Sequence, residues 1–238
     1  MFGKGKTLSA VHEVVCLYNT YNNKKVWCPE RKKFVTQKVH IISNVTLNIP
    51  YVPLESLKQV VDTGKKMHDI DFENDTMTFI IVLIDEISVQ LNSREFKKNI
   101  NAQFLNSLLC CRHFNMGFIG TAQRFGHVDA LMRQVTQRVI ECDKLWRLQR
   151  QYVFDAYELE NVANVLDVKP LYKTGFFVSN KDYSNYDTKA VVGQLIKSWE
   201  SDDMLTDKEI LDLQNINQVN VETNEKKSLF GRRKRKRK

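Results

Sequence analysis

Six consecutive apolar residues, Phe79-Ile80-Ile81-Val82-Leu83-Ile84, are followed at once by Asp85-Glu86. The run is β-branched and aromatic and does not alternate, so it has no polar face to offer water. A strand of that kind is covered on both sides, the habit of a central strand in a parallel sheet. Two carboxylates at its C-terminal end need a reason, because that end is where open α/β sheets place their ligands. A strand that merely ends in polar residues at the surface is the bland alternative, and the rest of the chain has to decide between them.

The surrounding pattern is α/β. Leu8, Val11, Val15 and Tyr18 share one face at helical spacing, predicting a helix over 7–18. Turn residues follow at 19–25, then a small hairpin over 26–34 through Cys28-Pro29-Glu30, a strand at 40–44 and a helix over 54–67. Further helices are expected over 101–112, 127–136 and 189–199. A short buried strand is expected at 116–121 and a third at 138–142, with strands at 152–157 and 175–179 near one sheet edge. Thr206-Asp207-Lys208-Glu209 reads as a capping box before Ile210, Leu211 and Leu213. Strands alternating with helices imply an α/β fold with a mostly parallel central sheet flanked by helices.

Gly3-Lys4-Gly5-Lys6-Thr7 opens the first helix. It is the second half of the phosphate-loop pattern GxxxxGK[ST], in which loop amides and the helix N-terminus cradle phosphate. Lys6 would neutralise the outer phosphates, and the Thr7 hydroxyl would hold magnesium. The first Gly of the pattern would fall one residue before Met1, and the same stretch reads equally as a flexible Gly/Lys terminus. With it, Asp85 becomes a magnesium ligand and Glu86 the residue that activates water. Thr121-Ala122-Gln123-Arg124 ends another short strand, where Gln123 can contact both a γ-phosphate and the water, or simply cap the next helix.

Taken together these motifs resemble the P-loop ATPases of the FtsK/HerA superfamily, and within it the zonula occludens toxin-like assembly ATPases of filamentous phages. The resemblance rests on Gly5-Lys6-Thr7, Ser43-Asn44, Ile84-Asp85-Glu86, Ser93-Arg94, Arg112-His113, Thr121-Ala122-Gln123, Asp129, Arg133 and the strand from Arg138 to Cys142. It covers roughly residues 3–145. It implies a RecA-like P-loop fold, ATP and Mg2+ as cofactors, and ATP hydrolysis coupled to phage DNA packaging, extrusion or virion assembly. It implies single-stranded phage DNA as the cargo and a homo-oligomeric ring whose subunits lend arginines to neighbouring sites. Arg94, Arg124, Arg133 and Arg138 are the candidates, since a planar permanent charge suits transferring phosphate oxygens. A replication helicase, a metabolite kinase on the same scaffold and a non-catalytic nucleic-acid adaptor stay open as alternatives.

Charge divides the chain. Lys plus Arg is 36 against 28 Asp plus Glu, yet the last seven residues, Arg232 to Lys238, are all basic. The expected organisation is therefore an ATPase domain over 1–200, a helix and polar linker over 201–222, and a disordered basic tail over 223–238. Such a tail can grip DNA, an anionic membrane surface or a membrane assembly partner. No stretch approaches the roughly 18 apolar residues of a membrane helix. Five Cys without a CxxC suggest reduced, buried thiols. These features point to the cytoplasm, with the tail at the inner face of the host membrane. Because the chain starts inside its own phosphate loop, the first strand of the fold is expected to be missing. That strand should lie beside 79–84 and be encoded about 8 to 15 residues upstream, one ordinary strand plus the start of the loop.

Overall fold

The computed structural model describes residues 3–87, 115–162 and 167–186. Its centre is β4 (Thr76–Ile84), with β2 (Lys33–Ser43) on one side and β5 (Met116–Gly120) on the other, both parallel to it. Beyond β2 lie the antiparallel β1 (Lys24–Cys28) and the two-residue parallel β3 (Val52–Pro53). The 79–84 run behaves as its composition demands: Ile80 to Leu83 are almost wholly buried.

Alternation along β4 splits its side chains between two layers. Ile81 and Leu83, with Val39 and Ile41, pack on Ala10, Val11, Val14 and Val15 of α1 (Lys6–Tyr21). Ile80, Val82 and Ile84 meet Val60 and Val61 of α2 (Leu57–Asn74) and Met132 of the short α3 (Ala130–Val135). The protein is thus a mixed α/β structure with a mostly parallel sheet flanked by helices. Among the described residues no helix is long and apolar enough to cross a membrane.

Several sequence expectations are corrected. The segment 138–142 is not a third strand of the central sheet. It lies in β6 (Arg138–Leu145), which pairs antiparallel with β7 (Leu148–Asp155); β7 in turn pairs antiparallel with β8 (Tyr172–Phe177) in a separate three-stranded sheet. Only one face of that sheet is covered: Cys142, Gln149 and Val153 are buried, while Leu145, Leu148 and Phe177 on the opposite face are exposed. The strand expected at 152–157 stops at Asp155, whose carboxylate caps α4 (Ala156–Asn161). The helix expected over 127–136 is a 3-10 turn at Phe125–His127 followed by α3. The place beside 79–84 assigned to a missing strand is filled on both sides; among the described residues the unpaired edges of the sheet are the outer sides of β1 and β5. Cys16 is exposed, whereas Cys28 and Cys142 are buried. The expected helices at 101–112 and 189–199, the capping box at 206–209, and the linker and tail lie outside the described residues.

Candidate functional site

The C-terminal ends of β2, β4 and β5 converge on the start of α1. Asn44, just past β2, clamps the backbone of Asp85: its Oδ1 accepts from the Asp85 N–H at 2.8 Å and its Nδ2 donates to the Asp85 carbonyl at 3.1 Å. From the other side Thr121 N–H donates to the Ile84 carbonyl, and Ile87 N–H donates to the Thr121 carbonyl. The chain turns sharply here, with Glu86 in the left-handed region at φ 52°. A residue without the glycine's freedom is held there only by its surroundings, and Thr121 Oγ1 supplies one restraint by accepting from the Glu86 N–H at 3.0 Å.

Asp85 is 5% exposed. Its carboxylate accepts from the Thr121 hydroxyl at 2.5 Å and from the Thr7 hydroxyl at 3.0 Å. Thr7 belongs to the first turn of α1, so this bond joins the two sequence motifs across 78 residues. Gln123 Nε2 donates to Glu86 Oε1 at 3.3 Å, while Glu86 Oε2 is buried with no hydrogen-bond partner among the described residues.

The loop before α1 is shaped by glycine. Gly3 and Gly5 lie at φ +80° and +73°, and Gly5 is the N-cap residue, offering no side chain to the first-turn amides. Those amides and the helix dipole leave a positive end facing outward. Lys6 makes no hydrogen bond or ion pair among the described residues, whereas Lys4 lies 3.8 Å from Glu141.

Gln149 holds this loop from the second sheet, a role with no counterpart in the sequence motifs. Its side chain is fully buried, Nε2 donates to the Lys4 carbonyl at 3.0 Å, and a Cβ on Gly5 would fall 2.2 Å from its Oε1. The same sheet covers the first turns of α1. Phe176 stacks on His12 at 3.7 Å, and Asp182 of α5 (Asn180–Ser184) accepts from His12 at 2.8 Å. Burial pushes the Asp182 carboxyl up, but hydrogen bonds from Ser179 and His12 outweigh it, leaving it below the ordinary range. Burial pushes the Cys142 thiol up. Burial, and then the field of the Asp85 carboxylate, raise the Tyr186 phenol. No local pattern marks Gln149 or Tyr186, because their partners lie far away in sequence.

One solved structure similar to this chain is the N-terminal domain of zonular occludens toxin from Neisseria meningitidis. It shares 16% identity at a TM-score of 0.45, over 79% of this chain and 95% of that one. A likeness so distant carries no argument about activity. No protein-family model and no curated protein matches the sequence.

The arginines scatter. Arg124 is exposed beside Gln123. Arg133 is committed locally, donating to Glu160 at 3.2 Å and to the Val128 carbonyl. Arg138 reaches the Tyr172 hydroxyl in the second sheet, and Arg94 lies outside the described residues. A cavity of about 520 Å³ lies elsewhere, between the end of α1 (Tyr18, Asn22) and the start of β4 (Thr76, Thr78).

Proposed function

We propose that this chain is a magnesium-dependent phosphate-loop ATPase whose hydrolysis drives movement of DNA or assembly of a virion. The observation that carries this reading is the Thr7 hydroxyl on the Asp85 carboxylate. A hydroxyl at a helix start and a buried carboxylate at a strand end have no reason to meet in a merely structural cap, yet together they are the two protein oxygens a nucleotide-bound magnesium ion takes. The donor set fits that ion, since both are hard oxygens. Thr7 and Asp85 would hold it, and it would offset charge on the phosphate oxygens.

The remaining roles belong to the chain's own groups. The amides of Gly5, Lys6 and Thr7 and the free Lys6 ammonium bind the phosphates. Glu86 takes a proton from the attacking water through Oε2, the buried oxygen that accepts no bond, while Gln123 fixes Oε1. Asn44 and Thr121 hold the turn that aims Glu86. Arg124, exposed beside Gln123, would serve a neighbouring subunit in a ring in preference to Arg133, which pairs with Glu160. The basic tail would add sequence-independent grip on DNA or anionic lipid.

Glu86→Gln tests the assignment. Removing the base should cut ATP turnover by about 100- to 10,000-fold while ATP binding stays within a few-fold. Thr7→Ala should weaken magnesium-dependent binding itself. Unchanged turnover in Glu86→Gln would remove Glu86 from the mechanism.

A further inference from the structure

Residues 24–38 hold six cations, Lys24, Lys25, Arg31, Lys32, Lys33 and Lys38, against one anion, Glu30. Leaving out the seven basic residues at the C-terminus, the chain has 29 basic and 28 acidic residues, so outside this hairpin 23 basic residues face 27 acidic ones. The rest of the sequence is therefore mildly acidic, and this hairpin is basic.

The hairpin also carries exposed rings. Trp27 and Phe34 are directly opposed across β1 and β2, 52% and 66% exposed, with ring centroids 5.3 Å apart and planes nearly perpendicular. The other face of the hairpin is spent on the core through Cys28 and Val35. Strand alternation puts Lys25 and Lys38 on the same face as the rings. The tip is braced: Arg31 donates to the carbonyls of Asp71 and Thr76 at 2.6 and 3.1 Å, and its guanidinium lies 5.6 Å over the exposed Phe72 ring. Lys33 pairs with Asp75 and Lys38 bonds Asn23, but Lys24, Lys25 and Lys32 make no ion pair among the described residues.

Lysines on an edge strand can serve only to stop strand-to-strand pairing. That explains the charges on β1 and leaves the rings unexplained, since two large exposed aromatics on one face work against it. An acidic peptide would answer the lysines but not the rings. Bases and phosphates answer both: unpaired bases stack on aromatic faces, and the backbone meets the cations. We propose that the β1–β2 hairpin is a binding platform for single-stranded nucleic acid, with bases stacked on Trp27 and Phe34 and phosphates met by Lys25 and Lys38 on the same face and by Lys32 at the tip. The platform is separate from the Thr7–Asp85 site and needs no nucleotide there.

The test uses the full chain and a fluorescent 20-nucleotide oligodeoxythymidylate, titrated at several salt concentrations without ATP. Trp27→Ala and Phe34→Ala should each weaken binding by about ten-fold, as loss of one stacked base does. Lys25→Glu should weaken it and flatten the salt slope by about 0.7 or more. Both rings are exposed, so thermal melting of the variants should match the parent. A duplex of the same sequence should lose little affinity in the ring variants, because its bases are already stacked. Irradiating a 5-iodouracil oligonucleotide bound to the unaltered protein should give adducts within 24–38, which keeps the proposal testable if a variant fails to fold. Adducts confined to 232–238, or ring variants that bind within two-fold of the parent, would overturn it. So would a ring variant that only dissociates a dimer of this chain and leaves oligonucleotide affinity unchanged.

Discussion

Gly5 and Gln149 show how a single contact fixes the candidate site. Gly5 sits at φ +73°, where an L side chain costs about 1–2 kcal/mol, and its missing Cβ is where Gln149 Oε1 lies. Gly5→Ala should therefore be destabilised by the backbone cost plus a clash, and should lose ATP affinity. Combining it with Gln149→Ala should relieve the clash and not the backbone cost, so the pair should be less destabilised than the two single effects summed. Urea titration of the four proteins measures this; strict additivity would mean that the loop does not rest on Gln149. His40 offers a second residue-scale test. Half-buried in the cavity beside Tyr51, Met67 and Ile70, its imidazole is held below its ordinary value by desolvation. The unfolded chain then binds the proton more readily than the fold does, so His40 favours folding fully above about pH 6.5 and progressively less as pH falls through the folded value. Thermal melting at pH 7.5 and 5.5 should show a larger acid-induced loss in the parent than in His40→Leu, and equal losses would contradict the assignment.

At the scale of elements, α2 is the instructive case. Its sequence pattern fades after Met67, and a helix over 54–67 is the natural reading. The helix runs from Leu57 to Asn74, opened by a capping box of Ser56 and Gln59 and closed by Asp75 in the left-handed region. Its last turns are polar because they meet the start of β4: the buried Asp71 carboxylate accepts from the Thr76 hydroxyl, the Thr78 hydroxyl and the Thr78 N–H. Asp71→Ala would leave the Thr78 donors buried without an acceptor, costing about 1–3 kcal/mol. A lower midpoint of urea unfolding with an unchanged slope is expected; a midpoint equal to the parent's would show that water replaces the carboxylate. The hairpin of β6 and β7 makes the complementary point. Strands are legible at 138–142 and in part at 152–157, but their pairing is not: the turn at Trp146, at φ 53°, returns the chain antiparallel, and β6 and β7 pair in a sheet of their own.

For the whole molecule, stability should grade from one sheet to the other. The middle of β4 is paired on both sides and covered on both faces, whereas β8 is a largely exposed edge of a sheet buried on one face only. Amides of 80–83 should exchange with solvent only on global unfolding, and those of 172–177 through smaller openings. Equal protection of the two sheets would mean that they unfold as one unit. The same contrast separates what could be read from the sequence from what could not. Burial and periodicity are local, so the chain's own order of residues determined the central strand, the helix opening at Gly5-Lys6-Thr7, the hairpin near Pro29 and the carboxylates placed at a strand end. Which strand pairs with which is decided by non-local contact, and 138–142 pairs with β7 in the second sheet, a choice that no local pattern specifies. Hydrogen-bond partners are non-local too. Thr7 and Asp85 were legible separately as motif residues, but their bond, the Gln149 grip on Lys4 from 145 residues away and the capture of Arg133 by Glu160 exist only once the chain has folded, because a polar side chain can meet any nearby donor or acceptor and only the fold says which one is near.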